Sequence, residues 1–293
     1  MVTKQYLLNM NAIQKMIVME NKIGIHDFGK FKMVLSNEDT DISPQIRKFG
    51  WYEDEKFETA VFEKHLKKDM SVLDLGANIG FYSLLARSIV GQNGRVFSFE
   101  PFPENIWLLR KSISENHFTN VFTSQTAVSD KSGTSVLYLS PDACSEHSML
   151  DLDFKSDDKH KKDINVQAVS VDDYFEKNCL DTKIDFIKMD IEGSEFRALN
   201  GMKKTLSENP TIMMMTEFWP NGFKKDNKDP QEFLEELSDM GFEIYHIDSQ
   251  SSKLEKKRPD EIMNVPKYNK RLIEQNKVMK QWGWYTNLLC MRV

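Results

Sequence analysis

The sequence predicts an α/β fold: a doubly wound, mostly parallel, Rossmann-like sheet of about seven strands with helices on both faces, after an N-terminal helical extension. Three observations predict it. The segment VLDLGANIGFYS (72–83) runs from an apolar strand through a glycine-bracketed turn into a helical pattern. From residue 71 onward, strand-like and helix-like segments alternate with short connections. Acidic residues close successive strands, on the side where such sheets bind ligands.

The elements follow in order. Residues 6–20 carry Leu7, Met10, Ile13, Met16 and Ile17 on one helical face, which predicts a helix packed on the domain. The same face would also serve a homodimer, or less well a membrane surface, since its polar side is not notably basic. A short strand is expected at 31–35 and a helix at 55–66, with Phe57, Val61, Phe62 and Leu66 apolar. These 68 residues form the extension, and 69–293 the main domain. There the expected order is strand 72–75, helix 81–89, strand 95–100, helix 104–116 and strand 121–127. An added hairpin or edge pair follows at 135–139 and 165–170. Strand 184–190, helix 194–206, strand 211–218, helix 230–240, strand 242–247 and a last strand at 287–293 complete it.

Two stretches break the rhythm. A polar excursion at about 140–163 should pass over the strand ends. A basic insertion at about 249–280 holds Lys253, Lys256, Lys257, Arg258, Lys267, Lys270, Arg271, Lys277 and Lys280. It reads as a solvated loop and helix, or else as a lid or a patch for an acidic substrate.

Composition narrows the function. A net charge of −6 argues against a general nucleic-acid binder. Cys144, Cys179 and Cys290 lie too far apart for a metal-ligand pair or a disulfide framework. No stretch approaches the roughly 18 apolar residues of a membrane span. The start of the chain lacks a signal-peptide pattern, so a cytoplasmic protein is expected.

The chemistry gathers at the strand ends. Asp74 lies in the strand before the turn, Glu100 ends the next strand, and Asp190 and Glu192 end the strand before Gly193. A carboxylate placed like Glu100 can accept two hydrogen bonds from a ribose diol. The turn is Gly76-Ala77-Asn78-Ile79-Gly80, a G-x-x-x-G spacing that matches neither the G-x-G-x-x-G of dinucleotide sites nor a phosphate-binding loop with its lysine. S-adenosylmethionine fits better. It offers an adenosine for Glu100 and an amino-acid tail, and it carries no phosphate.

Four segments in order, VLDLGANIGFYS, FEPFPEN (99–105), AVSD (127–130) and IKMDIEGSE (187–195), resemble the FkbM family of S-adenosylmethionine-dependent methyltransferases. The resemblance covers about 50–250, with a weaker echo in TNLLCMRV at the end. It implies a class I methyltransferase domain over 69–293 and gives roles to matching positions. Asp74, Gly76, Asn78 and Gly80 would form the cofactor turn, and Glu100 would hold the ribose. Pro101 and Asn105 would shape that pocket, Ala127 and Val128 would flank the adenine, and Asp130 would help at that edge. It also implies O-methylation of a sugar or glycan hydroxyl, or of a secondary metabolite.

An alcohol acceptor must lose a proton. The candidate bases are Asp190, Glu192, Glu217 and His147. Asp190 and Glu192 stand two apart, so on an extended backbone they share a face. Two routes stay open: direct base catalysis, or a divalent metal that lowers the acceptor's pKa. The metal-free route is preferred, because two sequence-close carboxylates do not define a metal site. Trp219 suits either a sugar platform or plain packing, and Lys188 is expected to snorkel from the sheet. Enzymes that methylate base amino groups usually carry an Asn/Asp-Pro-Pro-aromatic run where this chain has Asp190-Ile191-Glu192-Gly193, so no nucleic-acid partner is expected. The competing readings are a nicotinamide-dependent oxidoreductase and a non-catalytic binding module of the same fold.

Overall fold

The computed structural model describes residues 19–52, 55–140, 147–151, 162–178, 180–265 and 283–292. The helix predicted at 6–20 lies almost wholly outside them, as do Cys144, Cys179, most of the polar excursion and the basic residues from Lys267 to Lys280.

The extension begins with an antiparallel hairpin, β1 (Ile23–Asp27) and β2 (Lys32–Ser36), followed by helices α1 (Ile42–Phe49) and α2 (Lys56–His65). Strand β2 and helix α2 correspond to the strand expected at 31–35 and the helix expected at 55–66, and β1 and α1 are additional. Then come β3 (Ser71–Leu75), α3 (Phe81–Val90), β4 (Arg95–Phe99), α4 (Pro103–Glu115) and β5 (Val121–Ser124). The expected strand at 121–127 stops at Ser124, and Ala127–Val128 forms β6 in another sheet. With β7 (Gly133–Leu139), β8 (Lys162–Val169) and their antiparallel pairing, that sheet contains the predicted hairpin. Helix α5 (Val171–Lys177) follows, capped by Ser170, whose side chain accepts from the Asp173 N–H.

Strand β9 (Phe186–Met189) leads to α6 (Glu195–Asn200) and α7 (Lys203–Glu208). The expected single helix over 194–206 is two short helices that meet at Gly201, which lies against another backbone. A Cβ there would come within 2.1 Å of the Ser129 carbonyl oxygen. Then follow β10 (Met213–Phe218), α8 (Pro220–Lys225), α9 (Pro230–Asp239), β11 (Glu243–Asp248), β12 (Lys253–Lys257), α10 (Pro259–Ile262) and β13 (Thr286–Met291). The basic insertion thus opens with a strand rather than a solvated loop.

The central sheet has eight strands in the order β12-β11-β13-β10-β9-β3-β4-β5. Strands β10, β9, β3, β4 and β5 are parallel, and β13 runs antiparallel between β10 and β11. The eighth strand beyond the expected seven is β12, an edge contributed by the basic segment.

Strand alternation divides the core into two layers. Leu73, Leu75, Phe97, Phe99, Ile187 and Met189 face Phe196, Leu206, Phe223 and Phe233 of α6 to α9. Val72, Val96, Phe186 and Met215 face Phe62 of α2, Tyr82 and Leu84 of α3, and the hairpin residues Met33 and Leu35. Because both faces of β3 and β9 are covered, every residue in them is buried.

The extension meets the sheet through aromatics. Phe62 sits edge-on to Phe186 at 5.3 Å between centroids and to Tyr82 at 5.0 Å. Replacing Phe62 with Ala should lower unfolding free energy by about 3–5 kcal/mol. Urea unfolding followed by circular dichroism should show one transition. Two transitions, with only the first shifted, would show that the extension folds apart from the sheet.

Candidate active site

A row with three polar members, Ser98, Asp74 and Lys188, crosses the buried face beneath α3. Register places Ser98, Asp74, Lys188 and Met215 side by side on β4, β3, β9 and β10. Two residues further along each chain stand Glu100, Gly76, Asp190 and Glu217. The site is therefore two successive levels of one sheet, at the C-terminal ends of its parallel strands.

At the lower level, Asp74 is only 1% exposed. Its Oδ2 accepts from the Ser83 hydroxyl at 2.5 Å, and Ser83 lies 2.7 Å from Ser98. Its Oδ1 is buried without a hydrogen-bond partner. Burial raises its pKa, opposed by Lys188 and Ser83. Lys188 does not snorkel. At 7% exposed, its Nζ donates to Asp190 Oδ2 at 3.0 Å and lies 4.9 Å from the Tyr82 ring centroid. Burial alone would discharge this amine; Asp190, Asp74 and Glu55 together hold its pKa above the ordinary lysine value.

The turn above is shaped by close backbone approach. Gly76, at φ 81°, donates its N–H to the Phe99 carbonyl at 3.0 Å. A Cβ on Gly76 would lie 1.9 Å from the Asp190 carbonyl oxygen, so no other residue fits. Asn78 is left-handed at φ 50°, and its N–H donates to Glu100 Oε2 at 2.9 Å. The Phe102 N–H donates to Glu100 Oε1 at 2.8 Å. The buried Glu100 carboxylate thus accepts one backbone N–H on each oxygen, and the Asn105 side chain also bonds to it. Burial pushes its pKa up to about 7, against the pull of these two amides and of buried Asn105. Pro101 lies between, half-buried.

Ala127 and Val128 are buried in β6, beside Ser129, whose carbonyl abuts Gly201. Asp130 is exposed and accepts from the Ser129 hydroxyl at 3.0 Å. His147 packs edge-on against Phe102 at 4.3 Å, and its Nδ1 accepts from the Ser140 N–H at 3.1 Å, which occupies the lone pair a base at that nitrogen would use. Trp219 is 2% exposed and packs against Gly193 and Gly222, which leaves no free ring face for a sugar.

Asp190 and Glu192 do not share a face in the expected way. The strand ends at Met189, and Glu192 and Gly193 are left-handed at φ 55° and 92°. That turn carries Glu195 into the site instead. Glu195 is fully buried, and its Oε1 accepts from the N–H groups of Ile191 (2.9 Å) and Gly193 (3.4 Å). Asp190, Glu195 and Glu217 each offer a carboxylate oxygen, and these oxygens lie within 4.8 Å of one another. Burial pushes Glu195 up to about 7, and burial with Asp190, Glu192 and Glu195 as negative neighbours raises Glu217 well above its ordinary value.

Sequence reasoning also missed Glu55 of the extension. Its carboxylate accepts from the Tyr82 hydroxyl at 2.7 Å. Burial and nearby Asp190 push it up to about 7, with Lys188 opposing. Glu195 stands inside IKMDIEGSE, so its position in that motif was the available signal. Glu55 carried none, because nothing local marks a residue delivered from an extension.

Residues 74–244 match the family described as "Methyltransferase FkbM domain". Among solved structures, the chain is similar to a SAM dependent methyltransferase from Aquifex aeolicus at 14% identity and a TM-score of 0.42, covering 85% of this chain and 98% of that one. A SAM-dependent O-methyltransferase from Thermotoga maritima matches at 12% identity and 0.42, covering 85% and 70%. An rRNA methylase from Streptococcus thermophilus matches at 8% identity and 0.42, covering 80% and 94%. No curated protein matches the chain. Among the described residues, no helix is long and apolar enough to cross a membrane.

The electrostatics give a stability test. Glu55 and Glu195 are held above their unfolded pKa values, so between about pH 4.5 and 7 the folded chain keeps protons the unfolded chain has released. Their contribution to stability therefore falls as pH rises through that window. Lys188→Met removes the cation that offsets the charges. It should cost about 3–5 kcal/mol at pH 8 and clearly less at pH 5.5, as read by urea unfolding at the two pH values. An equal cost at both would show that Lys188 acts by packing alone.

Proposed function

Because the chain belongs to the FkbM methyltransferase domain family, we propose that it methylates a hydroxyl of a sugar, glycan or secondary metabolite, with S-adenosylmethionine as donor. The observation that carries this reading is the row of strand-end carboxylates Glu100, Asp190 and Glu217 on either side of the bare Gly76 turn.

The residues present fit the cofactor. Glu100 is fixed by two backbone amides and is a buried carboxylate acceptor beside the cofactor turn, which suits a ribose diol. Asp74 holds a buried, unpartnered Oδ1 one level below the turn, which suits the cationic amino-acid end. Gly76, Asn78 and Gly80 keep the turn free of bulk, and the φ of 98° at Gly80 disfavours any other residue there, with a Cβ also meeting the Leu109 side chain. Ala127, Val128 and Asp130, with Pro101 and Asn105, complete the adenosine side of this reading.

When bound, S-adenosylmethionine supplies an electrophilic methyl on a sulfonium leaving group. The chain's own work is alignment and proton removal. In-line positioning contributes roughly 7–11 kcal/mol where the geometry is good. As the acceptor's oxygen–carbon bond forms and the sulfur–carbon bond breaks, the hydroxyl proton passes to a carboxylate at the ends of β9 and β10. Asp190 is the first choice. It is partly exposed, it faces the turn, and its bond to Lys188 fixes its orientation. Glu217, with its raised pKa, is the second, and Glu192 and His147 rank behind both. A neutral acceptor suits this acidic site better than an anionic one, and cytoplasmic action as a homodimer remains part of the reading.

Three measurements test it. Incubation with methyl-labelled S-adenosylmethionine and fractionated glycan or metabolite extract should place label in a base-stable ether; label in protein, RNA or amine fractions alone would sink the O-methylation reading. Glu100→Gln should weaken S-adenosylmethionine binding by about 10–100-fold, the loss of charge-assisted hydrogen bonds. In the parent, calorimetry should show affinity falling about tenfold per pH unit below pH 7, since Glu100 must lose its proton to accept the diol, whereas Glu100→Gln should be flat. Asp190→Asn should leave cofactor affinity within about threefold and cut kcat by about 10²–10⁴-fold; full turnover would remove Asp190 from the chemistry.

A further inference from the structure

Three carboxylates, Asp190, Glu195 and Glu217, come from three places: the end of β9, the first residue of α6 and β10. Their oxygens converge within 4.8 Å of one another. Converging carboxylates alone mean little, because many such clusters are simply solvated. Two further observations distinguish this one. Glu195 is fully buried, and its Oε2 has no hydrogen-bond partner. Glu217 Oε2 is likewise buried without a partner. Among the described residues no salt bridge reaches Glu195 or Glu217; the nearby cation, Lys188, spends its hydrogen bond on Asp190 Oδ2.

A buried carboxylate oxygen without a donor is costly, and the cost grows when like charges face it. Water, a proton or a cation can relieve it. The convergence of three such groups favours a cation. An octahedral ion with oxygen ligands at about 2.1 Å sets adjacent oxygens about 3 Å apart and opposite ones about 4.2 Å apart, and ions with bonds near 2.4 Å widen the latter to about 4.8 Å. The oxygens of this cluster lie within that upper bound. An all-oxygen, all-carboxylate set suits hard divalent ions, whereas zinc and copper sites usually include nitrogen or sulfur ligands. Glu195 is also prepositioned, since the Ile191 and Gly193 amides fix its other oxygen.

We propose that Asp190, Glu195 and Glu217 form a binding site for one hard divalent cation, of the magnesium, manganese or calcium class. The site touches the cofactor turn through the Asp190 carbonyl, which packs on Gly76. There the three carboxylates would hold the cation against the acceptor's oxygen, and the cation would lower the pKa of that hydroxyl. That role rests on the proposed methyl transfer, but the site itself does not.

The test separates the two. The full chain, stripped with EDTA and dialysed, is titrated with Mn²⁺, and free ion is read from its six-line electron paramagnetic resonance signal. One Mn²⁺ per chain is expected, with Mg²⁺ or Ca²⁺ competing. Glu217→Gln and Asp190→Asn should each weaken binding at least tenfold, while Glu255→Gln on the exposed face of β12 should not. Circular dichroism melts confirm that each variant is folded, and Glu217→Asp should recover part of the affinity. Absence of a saturable site up to about 1 mM Mn²⁺ would overturn the proposal, as would affinity unchanged in both ligand variants. Label transfer that proceeds undiminished in EDTA, by a chain that binds no Mn²⁺, would overturn the cation site and leave the methyl-transfer reading standing.

Discussion

One buried ammonium organises the end of this sheet. Lys188 sits inside a central parallel strand, where apolar side chains are the rule, and its charge survives only because carboxylates surround it. The dependence is mutual. Asp74, Asp190 and Glu55 come from the first strand of the main domain, the loop after β9 and the extension, and Lys188 is the point at which all three meet. The extension is thereby tied to the site by charge as well as by the Phe62–Phe186 contact.

The two-level arrangement explains why the glycine at 76 matters. At its level the neighbouring strands deliver Glu100, Asp190 and Glu217, and the first strand delivers no side chain. A gap flanked by carboxylates is what a flat, cationic ligand requires. The backbone there is already committed: the Asp190 carbonyl occupies the space where a Cβ would stand.

Much of this was legible in the sequence, for physical reasons. Strands buried on both faces read as apolar runs, helices show their 3.6-residue period, and strand-end acids stand out against both. Thus Asp74, Glu100, Asp190 and Glu217 were named from position alone. The misses share a cause, which is contact between segments distant in sequence. Gly201, where one helix gives way to the next, packs against the Ser129 carbonyl, and Ala127 pairs with β8 instead of extending its strand. Two-residue spacing put Glu192 beside Asp190 only on the assumption that the strand continued. The left-handed turn at 192–193 replaced it with Glu195. Lys188 was misjudged because a lone lysine in a strand gives no hint of the carboxylates gathered around it.

The charged strand β12 has a meaning apart from chemistry. It is the outer edge of the eight-stranded sheet, and an open edge is a template on which another molecule's strand can add. Lys253, Glu255, Lys256 and Lys257 line it. Any strand docking there must strip water from alternating charges and match them. The opposite edge, β5, is only four residues long, and it exposes Phe122 stacked on Phe97. Among the described residues the central sheet thus ends in one charged border and one short one, and each makes the addition of another molecule's strand less favourable.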